Sequence, residues 1–188
     1  MWAYVKDGSI VQTNTSQTRL TIRGTEFPAK YANEWTVQQK KDYGVYEVVQ
    51  DNTNLKDGAY YNNGASTYTF ASDTVTLTYA SATAKELDDV TVDGITTLGL
   101  KTQHKATIKS QAHSSLSDTD WYASRKAEAG TAIPGAVSTY RAAVRTKEND
   151  MKTLIGNAAD VDALAALYVY NDDDPRTRPL GEWPESVS

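Results

Sequence analysis

A run of acidic residues near the carboxyl end, Asn-Asp-Asp-Asp at 171–174, is the first candidate for metal chemistry in this sequence. Hard cations such as Ca²⁺ bind several carboxylate and amide oxygens, which this run supplies. A calcium loop, however, spaces its ligands at alternate positions, with a glycine at the turn and a distal glutamate. Here Pro175 follows at once, and Arg176 and Arg178 can neutralise the acids. The sequence therefore predicts no metal site.

The two histidines are the next candidates, because a histidine can act as acid, base or ligand near neutral pH. The spacing of His104 and His113 places them on different sides of a helix. The sequence also shows no Gly-x-Ser-x-Gly motif of a nucleophilic serine and no acidic residue placed to orient either imidazole. Asp118, Asp120 and Glu128 suit helix caps and first turns better than a catalytic carboxylate pair. We predict no catalytic residue, no cofactor and no enzymatic activity.

Three tyrosines, Tyr60, Tyr61 and Tyr68, flank an Asn-Asn-Gly sequence at 62–64. Aromatic faces beside amides suit stacking on carbohydrate rings, so these tyrosines are candidate glycan contacts. Cross-strand pairing of aromatic side chains in a hairpin explains the same pattern equally well. A carbohydrate-binding module is therefore the least favoured of three functional hypotheses.

The charge of the chain argues against two classes of partner. A formal net charge of −5 and a pI near 5.0 provide no attractive field for nucleic acid. The lysines at 101, 105 and 109 are then best interpreted as a solvated helix face. No stretch approaches the ~20 apolar residues that a membrane-spanning helix needs. We expect neither nucleic acid nor membrane as partner, and the absence of cysteine excludes disulfides and thiolate sites.

Residues 1–82 have the pattern of an antiparallel β-rich domain of hairpins or a meander. Short β-branched and aromatic runs alternate with Gly, Asn and Asp, and Asp-Gly at 7–8 and Asn-Gly at 63–64 predict tight hairpin turns. Thr36 and Gln39 predict a capping box that starts a short helix, which Gly44 ends. Such a sheet has edge strands that can pair with another chain.

From about residue 83 the composition becomes typical of helices, which gives an α+β chain with a small carboxyl-terminal helical bundle. The predicted organisation is a linker at 83–99, a helical domain at 100–170 and an irregular arm at 171–188. Caps are predicted at Thr119 or Asp120 and at Asp160, and Gly130 ends a helix. The apolar faces of these helices are predicted to comprise Leu100, Ile108, Ala112 and Leu116, then Val137, Tyr140, Val144, Met151, Leu154 and Ala158, and finally Val161, Leu164, Leu167 and Tyr168.

One segment carries a more specific pattern than composition does. It reads Thr119-Asp120-Trp121-Tyr122, then Arg125, Glu128 and Ile133-Pro134, and finally Val137, Tyr140-Arg141 and Val144-Arg145. This pattern resembles a helical module of tail-fibre assembly proteins and related small tail or baseplate proteins of tailed bacteriophages. The resemblance is best over residues 101–147, and a looser likeness to marine-phage virion proteins extends to residues 3–8 and 178–184.

The resemblance implies that the working parts are contact residues. These are Trp121, Tyr122, Arg125, Pro134, Tyr140, Arg141, Arg145 and Trp183. Trp121 is expected to pack against the end of the preceding helix, and Tyr140, Arg141 and Arg145 to hold the helix junction against nearby acids. The terminal Trp183 can dock onto a neighbouring subunit or onto its own helices.

The resemblance also implies a tail-associated role. The leading hypothesis is a structural virion component of the tail tip, baseplate or fibre-attachment region, made in the host bacterial cytoplasm. It would be present in several copies with three- or six-fold symmetry and would bind fibre, baseplate or tail-tube subunits. The alternative is a tail-fibre assembly chaperone that leaves the finished particle. The β-rich amino-terminal half favours the retained component.

Overall fold

The computed structural model describes residues 1–14, 19–22, 24–28 and 34–187, and the structural statements below refer to these residues. The chain divides into two compact units, Met1–Thr83 and Ala84–Ser188. The first is rich in strands and the second in helices, which confirms the α+β class. No described helix is both long enough and apolar enough to span a bilayer.

The elements of the first unit are short. They are β1 (Trp2–Lys6), β2 (Ser9–Asn14), β3 (Leu20–Ile22), β4 (Thr25–Phe27), α1 (Val37–Asp42), β5 (Val45–Gln50), β6 (Tyr61–Asn62), β7 (Ser66–Ala71) and β8 (Thr74–Tyr79). A two-residue strand, β9 (Thr83–Ala84), lies at the boundary. The second unit contains β10 (Val90–Val92), β11 (Ile95–Thr97), α2 (Leu100–Ser117), α3 (Asp120–Ala129), α4 (Gly135–Asn157) and α5 (Val161–Ala166).

A five-stranded sheet with the order β2-β1-β5-β8-β7 forms the first unit. Its neighbouring strands are antiparallel, except that β5 and β8 run parallel. The sheet is therefore mixed rather than a simple meander, because the chain crosses over between β5 and β8 instead of turning back directly. The outer strands β2 and β7 also approach each other, so the sheet is curled.

Two hairpin turns within this sheet require left-handed backbone conformations. Asp7 and Gly8, with φ of 51° and 77°, join β1 to β2, which confirms the predicted turn. Ser72 and Asp73, with φ of 48° and 58°, join β7 to β8. Neither is a glycine, so the residue types at this second turn are only a weak signal of its left-handed backbone.

The predicted hairpin turn at Asn63 and Gly64 is wrong. β7 pairs with β8, and the Asn63 side chain instead accepts a hydrogen bond from the Lys56 backbone N–H at 2.8 Å and donates one to its carbonyl at 2.8 Å. Gly64 passes so close to Ala80 that a Cβ would lie 2.7 Å from its carbonyl oxygen. The Asn63 side chain closes a loop here, because its hydrogen bonds to the Lys56 backbone compete with formation of a tight turn.

The core of the first unit forms on both faces of β1. Trp2 and Tyr4 pack on one face in a cluster that includes Val45, while Ala3 and Val5 pack on the other. All four of these β1 side chains are buried, as expected of a central strand covered on both sides. The amino-terminal segment is therefore the middle of this unit rather than its edge.

The short helix α1 begins and ends as its sequence predicts. Thr36 Oγ1 accepts a hydrogen bond from the Gln39 backbone N–H, and Gln39 Oε1 accepts one from the Thr36 N–H at 2.8 Å. This reciprocal capping box satisfies two otherwise unpaired backbone donors. Gly44 follows the helix with a φ of 77°. A Cβ at this position would lie 2.4 Å from the Val5 carbonyl oxygen.

Gly44→Ala is expected to destabilise the first unit more than Gly8→Ala. Both glycines have a φ of +77°, but no atom lies within 4 Å of a Cβ built on Gly8. Gly8→Ala should therefore cost only the left-handed strain of about 1 kcal/mol, whereas Gly44→Ala adds a backbone collision for a total of roughly 3 kcal/mol. Urea unfolding followed by circular dichroism measures both. Equal losses would contradict close packing of Gly44 against β1.

The segment predicted as a linker, 83–99, differs from that expectation. Residues 84–99 belong to the second unit, and strands β10 and β11 form a hairpin through Asp93 and Gly94, with φ of 50° and 77°. The average composition of residues 83–99 does not indicate a hairpin, although an Asp-Gly pair between β-branched residues is a strong local signal of a tight turn. The division between the units falls at Thr83 and Ala84.

The helices of the second unit pack mainly through α2 and α4. Residues of the predicted apolar faces are buried at 100, 108, 112, 137, 140, 144, 151, 158, 161 and 164. Leu116, Leu167 and Tyr168 are half-buried, and Leu154 is 37% exposed while the adjacent Ile155 is fully buried. The long helix is thus rotated by one position relative to the predicted face at this point. The cap at Asp160 is confirmed, because its carboxylate accepts the Ala163 N–H at 2.7 Å.

The carboxyl-terminal arm after residue 171 is irregular, yet it packs on the helices of its own unit. Leu180 is 1% exposed, and its N–H donates to the Leu167 carbonyl at 3.0 Å. Trp183 packs against a cluster of Ala112, Tyr140 and Val144. Of the two docking modes left open for Trp183, this structure has the intramolecular one.

Candidate functional site

A buried arginine on α4 connects the end of α2 with the start of α3 in the second unit. Arg141, on α4, is 8% exposed. Its Nη1 donates to the Leu116 carbonyl at 3.1 Å and to Thr119 Oγ1 at 2.7 Å, and its Nη2 donates to Asp120 Oδ1 at 2.8 Å. The guanidinium therefore donates a hydrogen bond to a backbone carbonyl at the end of α2 and forms an ion pair with Asp120, the first residue of α3.

The neighbouring Tyr140 reinforces this arginine junction. Its hydroxyl donates to the Ser115 carbonyl at 2.9 Å, and Thr119 Oγ1 donates to the Leu116 carbonyl at 2.8 Å. The last four carbonyls of a helix lack intrahelical partners, and a cation near them is electrostatically favourable. The geometry therefore fixes where α2 ends and where α3 begins.

Immediately after the junction, α3 presents an aromatic and guanidinium cluster, which we call the α3 cluster (Trp121, Tyr122 and Arg125). The Trp121 and Tyr122 rings have centroids 3.8 Å apart. Arg125 Cζ lies 4.6 Å from the Trp121 centroid and 5.3 Å from the Tyr122 centroid. Spacings of three and four residues place all three side chains on one helix face. Cation–π attraction then holds the group in one arrangement.

The α3 cluster is displayed on a helix that contributes nothing to the core. None of the α3 residues is buried, and Trp121 is 50% exposed. The Trp121 ring stacks on Tyr122 and Arg125 of its own helix, and its packing against the end of α2 stays a prediction. The Arg125 Nε is buried without a hydrogen-bond acceptor in the described part of the chain.

The remaining predicted contact residues lie outside the α3 cluster. Pro134 is the N-cap of α4, with a φ of −55°, and it is exposed. Arg145 is exposed on α4, and no hydrogen bond or ion pair among the described residues involves it. Trp183 donates from Nε1 to Gln111 Oε1 at 3.2 Å on α2. The sequence pattern predicts the same role for both arginines, and only the structure shows that Arg141 is buried and Arg145 exposed.

The candidate glycan tyrosines have structural partners in the first unit. Tyr68 packs against the core cluster around Ala3 and Val75, and its hydroxyl donates to Met1 Sδ at 3.3 Å. Lys56 Nζ lies 5.9 Å from the Tyr61 ring centroid. Burial and the neighbouring Asp57 raise the pKa of Tyr60. Tyr68 therefore contributes to the packing of the first unit.

Two of the candidate chemical groups, His104 and Asn171, have side-chain hydrogen-bond partners within the second unit. His104 Nδ1 lies 2.7 Å from Tyr168 Oη, and burial lowers the pKa of His104. His113 is exposed on α2. Asn171 bonds to Thr177 through its side-chain amide at 2.9 Å. Within the described ranges, no three His, Asp or Glu side chains form a group that could hold a metal ion.

Comparisons with known proteins add no relative to these observations. No protein-family model, no curated protein and no solved structure matches the chain.

Arg141→Ala is expected to destabilise the second unit by about 2–4 kcal/mol, since it removes the charged donor to the Leu116 carbonyl and Thr119 Oγ1 together with the ion pair to Asp120. Arg145→Ala on the same helix is the matched control and should change stability by less than about 0.5 kcal/mol. Urea unfolding of both variants measures the difference. If the two losses are equal, the arginine junction does not hold the helices.

His104→Gln is expected to flatten the pH dependence of stability below about pH 6.5. Because the pKa of His104 is lowered from 6.5 in the folded chain, the unfolded state binds the proton first. Its stabilising contribution is complete above pH 6.5 and declines as the pH falls below that value. Glutamine can still hydrogen-bond to Tyr168. Urea midpoints at several pH values test this, and an unchanged slope would count against it.

Proposed function

We propose that this chain is a non-enzymatic structural component of a bacteriophage tail that binds other tail proteins through the α3 cluster. The observation that carries this proposal is a Trp-Tyr-Arg stack on a helix with no fully buried residue, in which Trp121 is exposed and Tyr122 and Arg125 are half-buried. Tryptophan, tyrosine and arginine are the residues most enriched at the energetic centres of protein interfaces. None of the α3 residues is fully buried in its own unit, so this helix has side-chain surface that another protein can bury.

The stacked arrangement favours binding because it is formed before the partner arrives. Arg125 is held against two rings, so little rotamer freedom remains to be lost on association. The arginine junction likewise fixes the start of α3 through the Asp120 ion pair at 2.8 Å. A partner with an apolar pocket and a carboxylate near its rim would match the rings and the guanidinium.

The assignment to a tail rests on the resemblance in the segment from Thr119 to Arg145. Two parts of that pattern, Trp121-Tyr122 with Arg125 and Tyr140-Arg141, coincide with the α3 cluster and the arginine junction. In this proposal the protein is made in the host cytoplasm and stays in the virion at the tail tip, baseplate or fibre attachment. It contacts fibre, baseplate or tail-tube subunits in a three- or six-fold assembly.

The first test is mass spectrometry of purified virions of the phage that encodes this chain. A structural component is expected in mature particles in a constant ratio to the other tail proteins. Presence only in infected cells would instead favour the assembly-chaperone alternative. The glycan alternative predicts binding on a glycan array that Tyr60→Ala or Tyr68→Ala abolishes.

The second test addresses the α3 cluster itself. Trp121→Ser with Arg125→Ser should remove the chain from particles, since it deletes the stack while leaving every buried residue in place. Lys126→Ser with Glu128→Ser changes two exposed α3 residues outside the stack and should leave incorporation unchanged. Circular dichroism checks that both variants fold. Equal incorporation of the two variants would show that another surface carries the contact.

A further inference from the structure

A solvent-open cavity lies between α2 and the carboxyl-terminal arm, within the second unit. Its volume is about 370 Å³, within the ~300–1,000 Å³ range of small-molecule sites. Helical spacing places four of its residues on one face of α2, and two more come from the arm. We call it the arm cavity, and it is lined by Ser110, Gln111, Ser114, Ser115, Arg178 and Trp183. It therefore combines an indole, an amide, a guanidinium and three hydroxyl groups.

The indole of Trp183 is held in place at the arm cavity. Its Nε1 donates to Gln111 Oε1 at 3.2 Å, and its ring packs against the buried cluster that includes Ala112 and Tyr140. The side chain is half-buried, so part of its aromatic surface stays accessible at the cavity. A tryptophan held in this way can stack on a ligand ring with little further loss of rotamer freedom.

The polar groups on the α2 side of the arm cavity have hydrogen-bonding capacity left over. Gln111 uses its amide oxygen for Trp183, and its Nε2 group, with two N–H donors, bonds to no residue that the structure describes. The hydroxyls of Ser110 and Ser114, both exposed residues, likewise have no partner in the described part of the chain. Each hydroxyl can donate one hydrogen bond and accept two. Donors and acceptors side by side match a ligand that carries several hydroxyl groups.

The charge at the arm cavity is balanced, which argues against an anionic ligand. Arg178 is the charged member of the six lining residues, and its Nε lies 2.9 Å from Glu182 Oε1. Its Nη2 donates to Glu182 Oε2 at 3.3 Å, and its Cζ lies 5.1 Å from the Tyr170 ring centroid. An acidic ligand would have to compete with the Glu182 carboxylate for this guanidinium. A neutral ligand meets no such competition.

We propose that the arm cavity binds one ring of a neutral carbohydrate. The C–H face of a pyranose ring stacks on the accessible part of the Trp183 indole. The sugar hydroxyls accept hydrogen bonds from Gln111 Nε2 and exchange them with the Ser110 and Ser114 hydroxyls. An apolar ligand would instead cover these polar groups without giving them partners, which costs free energy. The α3 cluster shares no residue with this site, so the inference goes beyond the proposed function and does not depend on it.

NMR titration of the full, isotope-labelled chain tests this proposal through the indole N–H signals of its four tryptophans. Trp183→Phe identifies the Trp183 signal by its loss. The probes are the methyl glycosides of glucose, galactose, mannose and N-acetylglucosamine, with glucuronate and inorganic phosphate for comparison. At least one neutral glycoside should shift the Trp183 signal saturably, with a Kd of roughly 1–10 mM because the site is open and its contacts are few. Glucuronate and phosphate should leave this signal in place.

Gln111→Glu is the most informative variant, because its carboxylate still offers an acceptor to Trp183 Nε1. It removes the Nε2 donors, so the neutral glycoside should bind about tenfold more weakly while Trp183 stays in position. Gln103→Glu is the matched control, since it makes the same exchange at another exposed residue of α2, about 12 Å away along the helix axis. This control should leave glycoside binding unchanged.

Three results would overturn the proposal. The first is the absence of a saturable Trp183 shift with all four neutral glycosides at ~50 mM. The second is a larger shift with glucuronate or phosphate, which would make the cavity an anion site. The third is equal binding by Gln111→Glu and the native chain. Trp121→Ser with Arg125→Ser should bind the glycoside normally, and Gln111→Glu should enter particles normally, so this proposal and the proposed function can fail separately.

Discussion

The organisation of the helical unit depends on one buried guanidinium. Helix α2 ends with carbonyl groups that have no partner within the helix, and Arg141 supplies donors to the Leu116 carbonyl and to Thr119. The same group binds Asp120 at the first turn of α3, so one side chain of α4 determines the end of one helix and the start of another. Asp120 is half exposed, and the hydrogen bonds to α2 are therefore the larger part of the stabilisation.

The arginine junction has a consequence for the surface. A helix such as α3, with no buried residue, has no core packing to fix its direction. Its attachment at Asp120 provides that direction, and Gly130 ends it with a left-handed backbone of φ 69°. Trp121 is consequently held in a stable arrangement with Arg125 even though its ring is half exposed. The β10–β11 hairpin follows the same principle, because contacts at its base position strands that the core does not cover.

The two units differ in how far their contacts reach along the chain. In the first unit, β1 pairs with β2 through a tight turn but also with β5, and the core on its two faces includes residues as distant as Val75. In the second unit, the strongest packing joins α2 to α4, and the arm returns to cover them with Leu180 and Trp183. A chain segment without regular structure can thus complete a core when a few apolar residues are correctly placed.

The sequence alone determined the features that depend on neighbouring residues. The α+β class, the capping box at Thr36, the turn at Gly8 and the cap at Asp160 could be predicted because each follows from local hydrogen bonding or periodicity. Tertiary structure decided what local patterns leave open. The parallel pairing of β5 with β8 and the burial of Arg141 beside an exposed Arg145 depend on which distant segments meet. The residues next to Arg141 and Arg145 in the sequence do not show which distant groups each arginine will contact, so only the folded chain distinguishes the two.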